Sequence, residues 1–155
     1  MRIDILSPVY VDMWNDGALK LAKEILPPDV DVRVSNVKSG TSSVECRYDS
    51  AISERPTILL AEELEREGSQ AVIIYCFNDP AIGACKEKLS IPVIGLRESS
   101  VAMASLIGDN PAVVTSMSNC IFDFEKVLAG KVKKVTALDM PVLEYLDYKK
   151  VESVL

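Results

Sequence analysis

AVIIYCFNDPAIGACKEKLSIPVIGL, residues 71–96, decides the fold. AVIIYC (71–76) is almost wholly apolar, as befits a strand covered on both faces. Phe77-Asn78-Asp79 breaks the run, and PAIGACKEKL (80–89) reads as a short helix with Pro80 in its first turn. IPVIGL (91–96) is again a buried strand. Strand, helix and strand joined by short loops predict a parallel βαβ unit.

The same alternation extends in both directions. RIDIL (2–6) alternates and then turns apolar before Ser7-Pro8. DMWNDGALKLAKEIL (12–26) carries Met13, Ala18, Leu21, Ala22 and Ile25 at helical spacing, and Pro27-Pro28 stops it. DVRVSNV (31–37) predicts a strand, SGTSSVECRYD (39–49) a loop, and ERPTILLAEELEREG (54–68) a helix with Pro56 near its start. SSVAMASLIG (99–108) predicts a helix, AVVTS (112–116) a strand, FDFEKVLAG (122–130) a helix and KVTAL (134–138) a strand. The expectation is an α/β protein: an open parallel sheet of flavodoxin-like order 2-1-3-4 with helices on both faces. Gly108-Asp109-Asn110-Pro111 marks the weak boundary between a first unit, 1–110, and the beginning of a second α/β unit, 111–155. That second unit is expected to be unfinished, ending within the helical pattern DYKKVESVL.

The 155 residues are 48% apolar and 26% charged, with mean hydropathy +0.17, ordinary values for a globular chain with a proper core. A formal charge of −6 and a pI near 4.7 argue against a nucleic-acid groove or an anionic membrane surface, and favour a small-molecule partner. The sequence offers neither a span of roughly 20 apolar residues nor a signal-peptide core, so a cytoplasmic location is expected. Cys46, Cys76, Cys85 and Cys120 are too widely spaced for a C-x-x-C pair and are expected to be reduced. With no histidine there is no mixed zinc site and no Ser-His-Asp or Cys-His machinery, and no metal is expected. Proton transfer must then use Cys, Asp, Glu, Lys or Tyr.

Ligands of open α/β sheets bind beyond the carboxyl ends of the strands, where strand order reverses. In order 2-1-3-4 that point lies between the first and third strands, so Ser7 and Cys76 should flank one crevice. Cys76 also precedes a predicted helix N-terminus, whose dipole and free N–H groups lower a thiol pKa from about 8.5 towards neutrality. Position alone leaves two readings open, a functional thiol or a small hydrophobe finishing a core strand. Cys85 reads as packing within a helix and Cys46 as incidental in a loop. Cys120 reads as core packing before an outside chance of facing the crevice. Asp79 reads as a helix cap first and a functional carboxylate second, and Glu45 as a solvated loop charge.

Cys76-Phe77-Asn78-Asp79-Pro80, with Gly40-Thr41-Ser42-Ser43-Val44-Glu45 upstream and Ile91-Pro92-Val93-Ile94-Gly95 downstream, resembles the aspartate/glutamate/hydantoin racemase superfamily, and within it the hydantoin racemase branch. Ala112-Val113-Val114-Thr115-Ser116 resembles that family's V-V-T-T strand. The resemblance covers residues 1 to about 120 through several ordered motifs. It implies cofactor-independent proton transfer at the carbon next to a carbonyl, with two cysteines on opposite faces of an amino acid or hydantoin. Cys76 matches the first cysteine, and Ser7, Ser43, Asn78, Asp79, Thr115 and Ser116 match substrate-binding positions.

The departures are equally specific. The family's second cysteine, in a G-C-x-G-M-like strand end, has no match, and Ser7-Pro8-Val9 replaces its N-P-N-like first loop. The resemblance therefore implies a truncated racemase-like chain with little or no racemase activity by itself, a role for Cys120, or a partner chain supplying the other half as a homo-oligomer. Two alternatives stand beside it: a single-cysteine decarboxylase or isomerase, and a non-catalytic module that holds a small carboxylate.

Overall fold

The computed structural model describes residues 1–154. Its centre is a four-stranded, all-parallel sheet of order β2-β1-β3-β4, the order expected from the sequence. The strands are β1 (Arg2–Ser7), β2 (Asp31–Asn36), β3 (Ala71–Ile74) and β4 (Val93–Gly95). β1 pairs with β2 from Arg2 opposite Asp31 to Ser7 opposite Asn36, and with β3 from Ile3 opposite Ala71 to Leu6 opposite Ile74. β4 joins the far side of β3, with Val72 opposite Val93.

Strand alternation divides the core into two layers. Leu6, Val72 and Ile74 point to one face and pack with Leu60, Ala61 and Leu64 of α2 (Arg47–Arg66) and Cys85 of α3 (Ile82–Lys88). Ile5 and Val32 point to the other, where Ala22 of α1 (Asn15–Ile25) completes a smaller cluster. Both faces of the central strands are therefore covered, which is why β3 is apolar without alternation. A second, two-stranded parallel sheet pairs β5 (Ala112–Thr115) with β6 (Lys134–Ala137). Val113 and Val135 pack against Phe124 and Leu128 of the α5 segment (Ile121–Val127) and against Val101 of α4 (Leu96–Ile107). A 3-10 turn at Val142–Glu144 leads to α6 (Tyr148–Val154).

Several boundaries differ from the sequence reading. β3 ends at Ile74, and α3 begins at Ile82, so Pro80 precedes that helix rather than standing in its first turn. α2 begins at Arg47, inside the expected loop, and carries Pro56 in its interior. The N–H that Pro56 lacks would have bonded the carbonyl of Ile52, which lies on the exposed side of the helix, so the break is tolerated. α4 begins at Leu96, directly at the end of β4, and takes up residues read as strand and loop.

One carboxylate lies within the sheet layer. Asp4 is fully buried and is held by Arg2, Nε to Oδ2 at 2.8 Å and Nη2 to Oδ1 at 3.2 Å. That contact raises the Arg2 pKa above its ordinary value. Arg2→Met keeps the apolar stem but strands the buried charge, and it is expected to lower stability by about 3 kcal/mol in urea unfolding. A loss below about 0.5 kcal/mol would show that the pair does not matter.

Candidate active site

The site is built where β3 ends. Tyr75 N–H still donates to the Leu6 carbonyl (2.8 Å), but Cys76 N–H turns back onto Ile74 O (3.0 Å) and Asp79 N–H onto Cys76 O (3.0 Å). Asp79 and Ala81 both adopt left-handed backbone, φ 45° and 61°, so the chain coils tightly before α3 starts at Ile82. The Asp79 carboxylate holds this coil in place. It accepts the N–H groups of Arg97 (3.0 Å) and Glu98 (2.9 Å) in the first turn of α4. This approach requires glycine at 95, because a Cβ there would lie 2.5 Å from Asp79 Cγ. Asp79 is thus a helix cap, as its type predicted, but of α4 rather than of the helix that follows it. It is not among the residues that line the cleft described next.

A cleft of about 320 Å³ opens at the carboxyl ends of β1 and β3, between the four-stranded sheet and the β5–β6 unit. Six of the residues singled out in the sequence line it together: Ser7, Ser43, Cys76, Asn78, Thr115 and Ser116. Asn78 Nδ2 donates to the Val44 carbonyl (3.0 Å), tying the loop that carries Ser43 to the loop that carries Cys76. Sequence reasoning missed the apolar wall, which includes Trp14, Phe77, Leu96 and Phe124, and also missed Tyr145. Phe77 and Phe124 meet edge to face at 5.6 Å and join the two units beside Cys76. Beside Trp14 runs a half-buried amide relay: Asn15 Nδ2 donates to Asn36 Oδ1 (2.6 Å), while Asn36 Nδ2 donates to the carbonyls of Val9 (3.1 Å) and Val11 (2.5 Å). Only the family of Cys76 motifs could have pointed at Phe77; nothing local in the sequence marks Trp14 or Tyr145.

The electrostatics overturn one expectation. Burial pushes the Cys76 thiol up to about 11, outweighing the Asn78 backbone N–H that favours the thiolate. No helix N-terminus offsets this, because α3 begins only at Ile82 after the coil. Cys76 is therefore a protonated acid at neutral pH rather than the expected low-pKa thiolate. Cys85 is fully buried in the α2–α3 layer, and burial raises its thiol to about 11 as well.

Cys120 is core, as its dominant reading had it: it is buried in the β5–β6 layer, and its Sγ donates to the Glu45 carbonyl (2.7 Å). Glu45, expected to be a solvated charge, instead joins the two units. Besides holding Cys120, its Oε1 accepts Val142 N–H (2.8 Å), and its own N–H donates to Asp49 Oδ2 (3.0 Å). Among the described residues no group of three or more His, Cys, Asp and Glu side chains could hold a metal ion, and no helix is long and apolar enough to cross a membrane.

Residues 16–137 match the Asp/Glu/hydantoin racemase family model, and the chain belongs to that family. It is 28% identical to a hydantoin racemase of a Pseudomonas species over 152 residues, 97% of this chain and 61% of that protein. It is also 28% identical to the hydantoin racemase of Rhizobium meliloti over 148 residues, 92% of this chain and 61% of that one. The chain thus spans about three-fifths of the length of these curated relatives. Among solved structures, allantoin racemase from Klebsiella pneumoniae superposes with a TM-score of 0.91 at 22% identity, over 99% of this chain and 66% of that one, and shares the fold.

Two expectations follow from this geometry. Asp79→Ala removes two charge-assisted bonds to α4 and should lower stability by about 1–2 kcal/mol in urea unfolding, whereas an unchanged midpoint would show that the cap is dispensable. Alkylation of Cys76 by iodoacetamide, followed by peptide mass spectrometry, should quicken about tenfold per pH unit up to about pH 11. A rate that levels off by about pH 8 would contradict the raised thiol pKa.

Proposed function

We propose that Cys76 moves a proton at the carbon next to a carbonyl of a hydantoin-like ring, without a cofactor, as a member of a racemase family would. The observation that carries this reading is a thiol on the wall of a mostly apolar cleft at the strand-order switch point. Hydroxyl and amide groups of Ser7, Ser43, Asn78, Thr115 and Ser116 surround it and would hold ring carbonyls and N–H groups.

Charge favours a hydantoin over an amino acid. Among the described residues no lysine, arginine, aspartate or glutamate lines the cleft. Removing a proton beside a carboxylate creates a dianion, which such a wall cannot compensate. Removing one beside a neutral imide carbonyl creates a monoanion spread over the ring, which neutral hydrogen-bond donors can stabilise. A neutral ring with an apolar substituent therefore fits better than aspartate or glutamate.

The raised thiol pKa sets the direction and the pH dependence of catalysis. With a pKa of about 11, roughly one Cys76 in 10⁴ is a thiolate at pH 7, so the resting enzyme holds the acid. The rare thiolate takes the substrate proton, exchanges it with solvent as a thiol and returns a solvent proton to the same face. Enantiopure 5-benzylhydantoin in deuterated water should exchange its ring C–H faster than it racemises, about tenfold faster per pH unit up to about pH 11 after subtraction of the enzyme-free rate. Aspartate should not exchange. Cys76→Ser should abolish exchange, and Cys85→Ser should leave it. Failure of wild-type protein to exchange any hydantoin, even at equimolar protein, would refute the activity.

A further inference from the structure

We propose that Tyr145 is a further catalytic residue, donating its phenol hydrogen to the substrate oxygen on which negative charge develops, and that Glu45 positions it. The proposal rests on the proton-transfer reading above and adds a residue to it. Tyr145 lines the same cleft as Cys76 but comes from the segment after β6, on the opposite unit. It is half-buried, and its hydroxyl neighbours the Ser116 side chain, which lines the same cleft. Among the described residues lining this cleft, the titratable side chains are Cys76, Tyr75 and Tyr145, and a phenol is a more acidic donor than the serine and threonine hydroxyls beside it. Tyr75 belongs to the β3 end and packs beneath it with Ile5 and Val32.

The phenol suits a donor rather than a base. Burial raises its pKa, with the neighbouring Ser116 hydroxyl acting in the opposite sense. It therefore keeps its proton at neutral pH while a substrate oxyanion draws on it through a hydrogen bond. In the step itself the Cys76 thiolate takes the proton from carbon, the C–H electron pair forms the new C=C bond, and the carbonyl π pair moves onto oxygen. The Tyr145 O–H hydrogen-bonds that oxygen without giving up its proton. On return, the oxygen's pair reforms the carbonyl, and carbon takes a proton from the Cys76 thiol.

The placement of Tyr145 is fixed from across the cleft. Its N–H donates to Val142 O (3.1 Å), closing the 3-10 turn, and Val142 N–H donates in turn to Glu45 Oε1 (2.8 Å). The Glu45 carbonyl meanwhile accepts Cys120 Sγ at the start of α5 (2.7 Å). One residue of the β2–α2 loop thus holds two segments of the β5–β6 unit, one of which carries the phenol.

The test uses the full chain and two readouts. In ring C–H exchange, Tyr145→Phe should lower kcat about 10²-fold with KM changed less than about threefold, because the bond strengthens only as charge develops. Glu45→Ala should lower kcat at least about tenfold, and Glu45→Gln, which keeps the acceptor Oε1, should restore most of it. In binding, followed by its absorbance, 5-benzylidenehydantoin presents a planar ring carbon like that of the enolate. It should bind Tyr145→Phe about tenfold more weakly than wild type. Tyr145-dependent binding without any wild-type exchange would support the contact and refute the exchange reaction. Equal binding to both proteins, no binding to wild type, or unchanged kcat in Tyr145→Phe would overturn the role of Tyr145.

Discussion

The site depends on one carboxylate placed against one helix end. Asp79 accepts two N–H groups of the first turn of α4, and this fastens the coil after β3 to the start of the helix after β4. The coil is costly by itself, since two non-glycine residues take left-handed backbone. It persists because the cap, the missing side chain at Gly95 and the bond that Gly95 N–H donates to Glu98 Oε1 (3.1 Å) all require the same geometry. The consequence falls on Cys76, which is held at the end of β3 while its own helix starts too late to stabilise a thiolate. Structure and acidity follow from the same turn.

A second constraint closes the cleft. The four-stranded sheet and the β5–β6 pair form separate sheets, so nothing in the strand ladders fixes one against the other. What joins them near the site is Glu45, with bonds to Cys120 and Val142, the Phe77–Phe124 contact, and the Arg47–Asp123 ion pair at 3.2 Å. The ion pair is largely exposed on the Arg47 side and contributes little. The Glu45 and aromatic contacts are sheltered and directional, so they set the width of the cleft and the character of its wall.

Much of the site was legible because α/β topology converts sequence order into spatial order. Ser7, Ser43, Cys76, Thr115 and Ser116 stand at or just beyond strand ends, and parallel strands bring all such ends to one side of a sheet. Asn78 was legible through its motif, although one hydrogen of its amide also bonds the Val44 carbonyl. The readings that changed share a different cause. Asp79, Glu45 and the Cys76 thiol each depend on a partner far along the chain: α4, Val142 with Cys120, and the burying walls of the cleft. Trp14 and Tyr145 lie in the loops after β1 and β6, but next to the helix that follows in each case, and Trp14 falls within a stretch whose spacing reads as helix.

The sequence by itself determined the order of elements, the parallel sheet, the family and the strand-end loops that meet, because periodicity and short connections act locally and topology then leaves few choices. Tertiary structure decided which helix Asp79 caps, that Glu45 joins the two units, that the wall is neutral, and that Cys76 rests as a thiol. Each of these is a matter of desolvation and long-range hydrogen bonding, and both exist only once distant segments have excluded water from one another.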